Sequence, residues 1–343
     1  MSAAAEYVLP LRWHDDAALP ELTAYLRDLT ARIDVTVVDG SPPALFARHA
    51  EVWAGMLRHV PVDASTSPGA VAASVRPVNG KVLGVLTGVH AARHERVVIA
   101  DDDVRYGERE LAAVVDALAE ADLVVPQNHF APLPWHARWD TARTLLNRAV
   151  GADYPGTYGV RRSSVLAAGG YDAGVLFENL ELERTIRAVG GTVRVRRDLL
   201  VARRPPSASH FRRQRLRQAY DSWAQPWRFA IELAALPVAV LLRRRPAGIG
   251  AIVLALVVMA EIGRRRAGGT RVWPATSALW APVWAAERAV TSWCAVALRL
   301  VGGVPYAGSR LARAATSQRR LRRRLAQPNS AVVAETPCGS GTT

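Results

Sequence analysis

Cysteine is nearly absent. Only Cys294 and Cys338 occur in 343 residues, far apart, which excludes a disulfide framework and a cysteine metal site. The amino terminus, Met1 to Glu6, lacks a basic stretch followed by an apolar one, so it does not read as a signal peptide. The first part of the chain is therefore expected to stay in the cytoplasm. Acids are in deficit, 30 Asp and Glu against 44 Lys and Arg, and the net charge is +14. The deficit is uneven. The first 130 residues are close to balance, and the excess follows Arg138 in runs such as Arg196-Arg197, Arg212-Arg213, Arg243 to Arg245, Arg264 to Arg266 and Arg319 to Arg324. Basic runs suit nucleic acid or anionic lipid. Here they flank apolar segments, which favours an anionic membrane surface and no nucleic acid.

Hydrophobic residues make up 50% of the chain, enough for a sizeable core. The first 200 residues alternate between two periodicities. Tyr7 to Leu11, Val35 to Val38, Val97 to Ala100 and Asp122 to Pro126 read as strands. Leu22, Tyr25, Leu26 and Leu29, then Val82 to His90, then Leu111, Val114, Val115 and Leu118 read as helices. Such alternation predicts an α/β fold, a mostly parallel sheet flanked by helices. Ligands in such sheets bind outside the carboxyl ends of the strands. Asp39 and the triplet Asp101-Asp102-Asp103 both lie at such ends. Three adjacent acids repel one another and resist desolvation, so a folded chain keeps them either as a solvated turn or around something cationic. Hard cations such as Mg²⁺ or Mn²⁺ prefer oxygen ligands of this kind.

Beyond Pro226 the composition changes. Phe229 to Leu242 is apolar except for Glu232 and short for a bilayer span, so it is expected to lie in the interface. Pro246 to Gly263 carries only Glu261 as a charge, and Trp273, Trp280, Trp284 and Trp293 suit a membrane–water boundary. A helical soluble domain with a buried hairpin is the competing reading, kept open by Glu232, Glu261 and Glu287. The expected organisation is a catalytic domain over residues 1–225, membrane-associated or transmembrane helices over 226–308, and a basic, disordered tail over 309–343.

Several segments together resemble the family-2 inverting glycosyltransferases of the GT-A fold. Among them they are most similar to the membrane-attached branch that includes ceramide glucosyltransferase-like enzymes. The resemblance covers residues 7–223, and the C-terminal apolar helices match that branch in kind only. It is carried by Leu9-Pro10-Leu11-Arg12, by Val38-Asp39-Gly40-Ser41, one acid short of the family's pattern, and by Asn79-Gly80-Lys81 with Gly84 and Gly88. Asp101-Asp102-Asp103 resembles the DxD motif. Gly169-Gly170-Tyr171-Asp172, Phe177 to Leu182 and Gln214-Arg215-Leu216-Arg217 follow in the family's order.

The resemblance implies roles. Asp101 and Asp103 would hold Mg²⁺ or Mn²⁺, which neutralises the departing diphosphate as a Lewis acid. Pro10, Arg12, Asp39, Lys81, Asp101 and Asp102 would form the donor side; a turn residue at Asp39 stays open as the lesser reading, and spacing alone leaves Lys81 equally open as a surface lysine. Gln214, Arg217 and Asn179 would lie on the acceptor and diphosphate side. The family's catalytic base is an aspartate where this chain has Asn179, which cannot serve as one. Glu178 and Glu181 flank it, three residues apart and thus close on one helical face, and either is the expected base. Both acids also suit a helix start through its dipole. The expected function is a metal-dependent inverting transferase that moves a sugar from a nucleotide donor, a UDP-sugar in the first instance, to a lipid or polyprenol-type acceptor. It would work at the cell membrane, multi-pass or interfacial, with a cytoplasmic catalytic domain. The alternative is a degenerate, non-catalytic nucleotide-sugar-binding membrane protein.

Overall fold

The computed structural model describes residues 4–66, 79–306 and 309–326. Eight strands form one sheet: β1 (Ala5–Leu11), β2 (Asp34–Asp39), β3 (Arg58–Pro61), β4 (Arg96–Ala100), β5 (Val104–Arg105), β6 (Leu123–Phe130), β7 (Thr157–Arg161) and β8 (Val193–Arg203). Their spatial order is β3-β2-β1-β4-β7-β6-β8-β5. Strands β3, β2, β1 and β4 run parallel, as do β6 and β8; β7 and β5 run against their neighbours. The α/β architecture expected from the alternation is thus present, with two antiparallel insertions.

The β1 residues show why the sheet is covered twice. Tyr7, Leu9 and Leu11 point to one core, and Val8 points to the other, as the two-residue strand period requires. Helices α1 (Leu19–Thr30), α2 (Pro43–Trp53) and α4 (Glu108–Ala117) cover the first face with Leu22, Leu26, Trp53 and Val114. Helices α3 (Gly80–Ala91), α6 (Arg162–Ala167) and α7 (Glu178–Ala188) cover the second with Val82, Leu86, Val165 and Ile186. Helix α3 is nearly all apolar or small because it runs close over the sheet. A Cβ on its Gly84 would come within 2.9 Å of Pro10 Cβ, inside contact distance.

Helix α5 (Trp135–Val150) and α8 (Ala208–Asp221) connect this sheet to three apolar helices, α9 (Pro226–Leu242), α10 (Pro246–Arg265) and α11 (Ala281–Leu300). Helix α10 seats on α5, with Ala260, Trp273 and Trp284 joining Ala142 and Leu145 in one cluster. Helix α11 packs on both α9 and α8. The other sides of α9, α10 and α11 are exposed and apolar: Trp227, Ile231, Leu241, Leu254, Val258, Ile262, Val290, Trp293 and Leu300 all face outward. The segment Pro246–Arg271 is the one described stretch long and apolar enough to cross a membrane, by length and composition, and only 11% of its apolar window is buried.

Part of the expected tail is ordered. Strands β9 (Val304–Tyr306) and β10 (Ser309–Leu311) form a hairpin, and helix α12 (Gln318–Ala326) packs on α7. Between them, Arg313 and Ala314 accept backbone hydrogen bonds from Leu176 and Phe177 at 3.0 and 2.8 Å. The backbone hydrogen bonds and buried Leu311, Ala314 and Leu321 outweigh the basic, polar composition that suggested disorder. Residues 327–343 lie outside the described residues.

Candidate active site

The carboxyl ends of β1, β2, β3, β4 and β8 border a cleft of about 640 Å³. Its walls carry Pro10, Arg12, Lys81, Asp101, Asp102 and Asp103 on the strand side. Glu178, Asn179, Gln214, Arg217, Asp221 and Arg228 line the helical side. Of the residues expected from sequence, all but Asp39 and Glu181 line this cleft.

The triple aspartate leaves β4 in a turn whose first and third residues face two cations. Asp101 takes its backbone hydrogen bond from Val104 N and gives one to Gly156 O, at 3.0 and 2.8 Å. Gly156 can lie there because it has no side chain: a Cβ would sit 2.5 Å from Asp101 Oδ2. Lys81, the only lysine in the chain, projects from the first turn of α3, with Nζ 2.5 Å from Asp101 Oδ1 and 3.0 Å from Glu178 Oε1. Burial disfavours its charge, but Asp101 and then Glu178 outweigh this and raise its pKa. Arg203 closes the other side. Its Nε donates to Asp103 Oδ2 at 2.7 Å and its Nη2 to Asp101 Oδ2 at 3.3 Å. The pairing Val104↔Arg203 at the sheet edge sets that reach.

Each acid has a distinct state. Burial pushes the Asp103 carboxyl up to about 6, against the pull of Arg203 and with further push from Asp101 and Asp102. Its Oδ1 is buried without a hydrogen-bond partner among the described residues. Asp102 turns to Trp13, whose indole Nε1 donates to Oδ2 at 2.5 Å. A divalent cation fits the Asp103 and Asp101 carboxylates in chemistry, since hard oxygen ligands are present and the orphaned Oδ1 of Asp103 lacks a counter-group. Among the described residues the two do not converge with a third ligand; the group that does is Asp39, His49 and His59.

At that second group the expectation for Asp39 is corrected. Its carboxylate is buried behind the cleft wall rather than on it. Ser41 N donates to its Oδ1 at 2.8 Å, and His49 Nδ1 and His59 Nε2 lie 2.6 and 3.1 Å from its Oδ2. Burial would raise the Asp39 pKa, but the bonds from His59, Ser41 and His49 prevail and hold it well below the carboxylate range. His49 bridges onward to Asp16, Nε2 to Oδ1 at 3.0 Å. The ring nitrogens contact the carboxylate directly, and the group reads as a buried clamp joining β2, α2 and β3.

The acids at the start of α7 also separate. Glu178 lines the cleft and is held by Lys81. Burial alone would raise its pKa; Lys81 and then Arg217 lower it instead. A carboxylate so stabilised is a poor proton acceptor, which argues against the base role expected for it. Glu181 is fully buried outside the cleft and accepts from Thr316 N at 2.6 Å. Its expected catalytic role is corrected to that of an anchor for the returning C-terminal segment. Burial pushes its carboxyl up despite the bonds from Thr316. Asn179 lines the cleft, and its Nδ2 donates to Pro155 O at 2.8 Å.

On α8, Gln214 and Arg217 line the cleft; Arg217 stacks over the Tyr306 ring, 5.0 Å from its centroid. Tyr306 donates to Asn79 Oδ1 at 2.9 Å, so β9 closes this end. Residues that sequence reasoning missed are Trp13, Arg143, Arg203, Asp221, Arg228 and Tyr306. Only Arg203 left a signal, a basic residue ending the apolar run Leu199-Leu200-Val201.

No family model and no curated protein sequence matches the chain. Among solved structures, it is similar to the mannosyltransferase PcManGT from Pyrobaculum calidifontis in complex with GDP-Man and Mn²⁺, at TM-score 0.45 and 18% identity over 89% of this chain and 77% of that one. It is also similar to GalNAc-T7 with UDP, GalNAc and Mn²⁺, at TM-score 0.40 and 12% identity, covering 59% of this chain and 44% of that one. A third is glucosyl-3-phosphoglycerate synthase from Mycobacterium tuberculosis in complex with Mn²⁺, UDP-glucose and phosphoglyceric acid, at TM-score 0.38 and 18% identity, covering 62% and 77%.

Proposed function

We propose that the chain is a metal-dependent, inverting glycosyltransferase of the GT-A type. It moves a sugar from a nucleotide donor, a UDP-sugar in the first instance, to a lipid or polyprenol-type acceptor at a membrane. The observation that carries this reading is the Asp101–Asp103 triplet at a strand end, flanked by Lys81 and Arg203 on the wall of a cleft of about 640 Å³. Alternating acids and bases of this kind suit a nucleoside diphosphate and its counter-ion.

Asp101 and Asp103 would hold Mg²⁺ or Mn²⁺, which would supply Lewis-acid stabilisation of the departing diphosphate. The chain's own groups do the rest. Lys81 and Arg203 present fixed positive charge to the phosphate oxygens, and a guanidinium matches such oxygens in shape. Glu178 keeps Lys81 extended into the cleft. Arg217 and Gln214 orient the acceptor side. The exposed apolar faces of α9, α10 and α11, bracketed by Arg243 to Arg245 and Arg264 to Arg266, support a membrane-bound setting in which a lipid acceptor reaches the cleft from that side.

The test is incubation of the purified full chain with a panel of nucleotide sugars and Mg²⁺ or Mn²⁺, with donor hydrolysis and nucleoside diphosphate binding as readouts. Metal-dependent binding and slow hydrolysis of one donor are expected, and Asp103→Asn should weaken metal-dependent binding at least about tenfold. Absence of any nucleoside diphosphate binding overturns the reading. A binding-only protein is the second reading, favoured by Asn179 at the family's base position; binding of donors without turnover of any of them would select it.

A further inference from the structure

With Asn179 unable to accept a proton and Glu178 tied to Lys81, the cleft needs another acid if it is to activate a hydroxyl. Five acids line it: Asp101, Asp102, Asp103, Glu178 and Asp221. The first four are engaged, with Lys81 and Arg203, with Trp13, with Arg203, and with Lys81, respectively. Asp221 is different: neither of its carboxylate oxygens joins a hydrogen bond or ion pair among the described residues, whereas Asp103, whose Oδ1 is also unpartnered, is held through Oδ2 by Arg203. The Oδ1 of Asp221 is buried.

Its position is also distinctive. Asp221 is the last residue of α8, one turn beyond Arg217 and just before α9, the first apolar helix. Ser222, Gln225 and Arg228 continue the cleft wall from there. The proposed lipid acceptor enters from this wall, whereas the acids placed on the donor diphosphate occupy the strand ends. We propose that Asp221 is the general base that removes the proton from the acceptor hydroxyl, an assignment that rests on the transferase reading above.

The step balances without a further reactant. The hydroxyl proton passes to the Asp221 carboxylate as the acceptor oxygen bonds to the anomeric carbon. The bond from that carbon to the diphosphate oxygen breaks, and its electron pair leaves with the diphosphate. The surroundings tune the acid for this task. Burial pushes the Asp221 carboxyl up to about 7; Arg217 opposes this, Glu178 adds to it, and Arg288 of α11 and Arg143 of α5 oppose it. Arg228 of α9 also faces the cleft here. The helix C-terminus disfavours negative charge at the same place. A base whose pKa lies near the working pH is the most effective one.

The experiment uses the full chain, the nucleotide sugar that it hydrolyses, and water as the acceptor. Asp221→Asn should lower kcat for hydrolysis by about 10² to 10⁴ with nucleoside diphosphate affinity within about threefold of wild type. The wild-type rate should rise as pH passes through about 7, and that limb should vanish in Asp221→Asn and move in Asp221→Glu. A variant within threefold of wild type, or an unchanged limb in both variants, overturns the proposal while leaving the transferase reading intact. A wild-type chain that binds no nucleoside diphosphate overturns both. Should Asp221→Asn fail to fold, as judged by lost nucleotide binding, the displaced limb of Asp221→Glu decides alone.

Discussion

Replacing Lys81 by methionine tests the charge arrangement on which the whole cleft depends. The ammonium lies 2.5 Å from Asp101 and 3.0 Å from Glu178, so removing it leaves two carboxylates separated by at most the sum of those contacts. At an effective dielectric of about 20, their repulsion amounts to about 3 kcal/mol. Methionine keeps most of the stem packing, so charge is the main change. A domain of this size loses roughly 2–4 °C of Tm per kcal/mol, and the expected fall is about 6–12 °C at pH 8. The pH dependence fixes the cause. In the wild type, Glu178 is held below its ordinary value, so its contribution is complete above the normal carboxylate range and is lost only as pH falls through the lowered value. In Lys81→Met, repulsion raises the folded-state pKa of one acid above its unfolded value. Protonation then relieves the strain, and the cost is full above the raised pKa and shrinks as pH falls towards 5. The Tm gap between wild type and variant, read by circular dichroism in EDTA without nucleotide, should therefore widen from pH 5 to pH 8. Equal gaps at both values would refute the reasoning, as would a variant as stable as wild type at pH 8. Because the chain has one lysine, loss of side-chain labelling by an amine-reactive reagent verifies the substitution.

Two further outcomes follow from the corrected residues. Asp39→Asn should cost about 1–3 kcal/mol through weakened bonds to His49 and His59, yet leave nucleoside diphosphate affinity within about threefold, because Asp39 does not face the cleft. Asp39 contributes fully above its unfolded pKa and loses that contribution as pH falls towards its lowered folded value, so the stability gap should begin to narrow below about pH 4. Glu181→Ala leaves the Thr316 amide without its partner, and limited trypsin digestion should then cut between Arg319 and Arg324 sooner than in wild type; an identical time course would count against the anchor role.

The strands and helices of the first 200 residues were legible because their periodicities differ, and burial of one face enforces each. The acids after β4 were legible as a site because strand ends open onto the cleft. Side-chain direction was not. Asp39 also ends a strand, but His49 and His59, ten and twenty residues away, draw its carboxylate behind the wall. Glu178 and Glu181 share a helical face only within about 60°, and that angle separates the cleft from the underside of the segment around Thr316. The partner of Glu181 lies 135 residues further on, where composition suggested disorder. Arg203 meets Asp103 across 100 residues through one strand pairing, which no local pattern encodes. Asp221 gives no local signal at all, since a single acid ending a basic helix looks like a solvated one.

The C-terminal helices show how the most ambiguous charges in the sequence become informative in three dimensions. Glu232, Glu261 and Glu287 argued against a membrane setting as long as they were read as isolated acids in apolar segments. Each is paired: Glu232 with Arg228 at 2.8 Å, Glu261 with Arg264 and Arg265 at 2.6 and 2.5 Å, and Glu287 with Arg215 at 2.5 Å. The attraction within each pair offsets part of the desolvation penalty that an isolated acid would bear, and the outward faces of these helices keep their apolar residues. The pairs also connect the helices to the cleft. Arg228 lines it while holding Glu232, and it donates to Asn147 Oδ1 at 2.9 Å. Arg215 spans Glu287 on α11 and Asp140 on α5, within the same helix that presents Arg217 and Asp221. A displacement of α9 or α11 therefore shifts the cationic wall of the cleft directly. In the proposed membrane setting, the surface that meets lipid and the wall that meets the acceptor are one packed unit, so detergent or lipid that reseats these helices should alter turnover more than donor affinity.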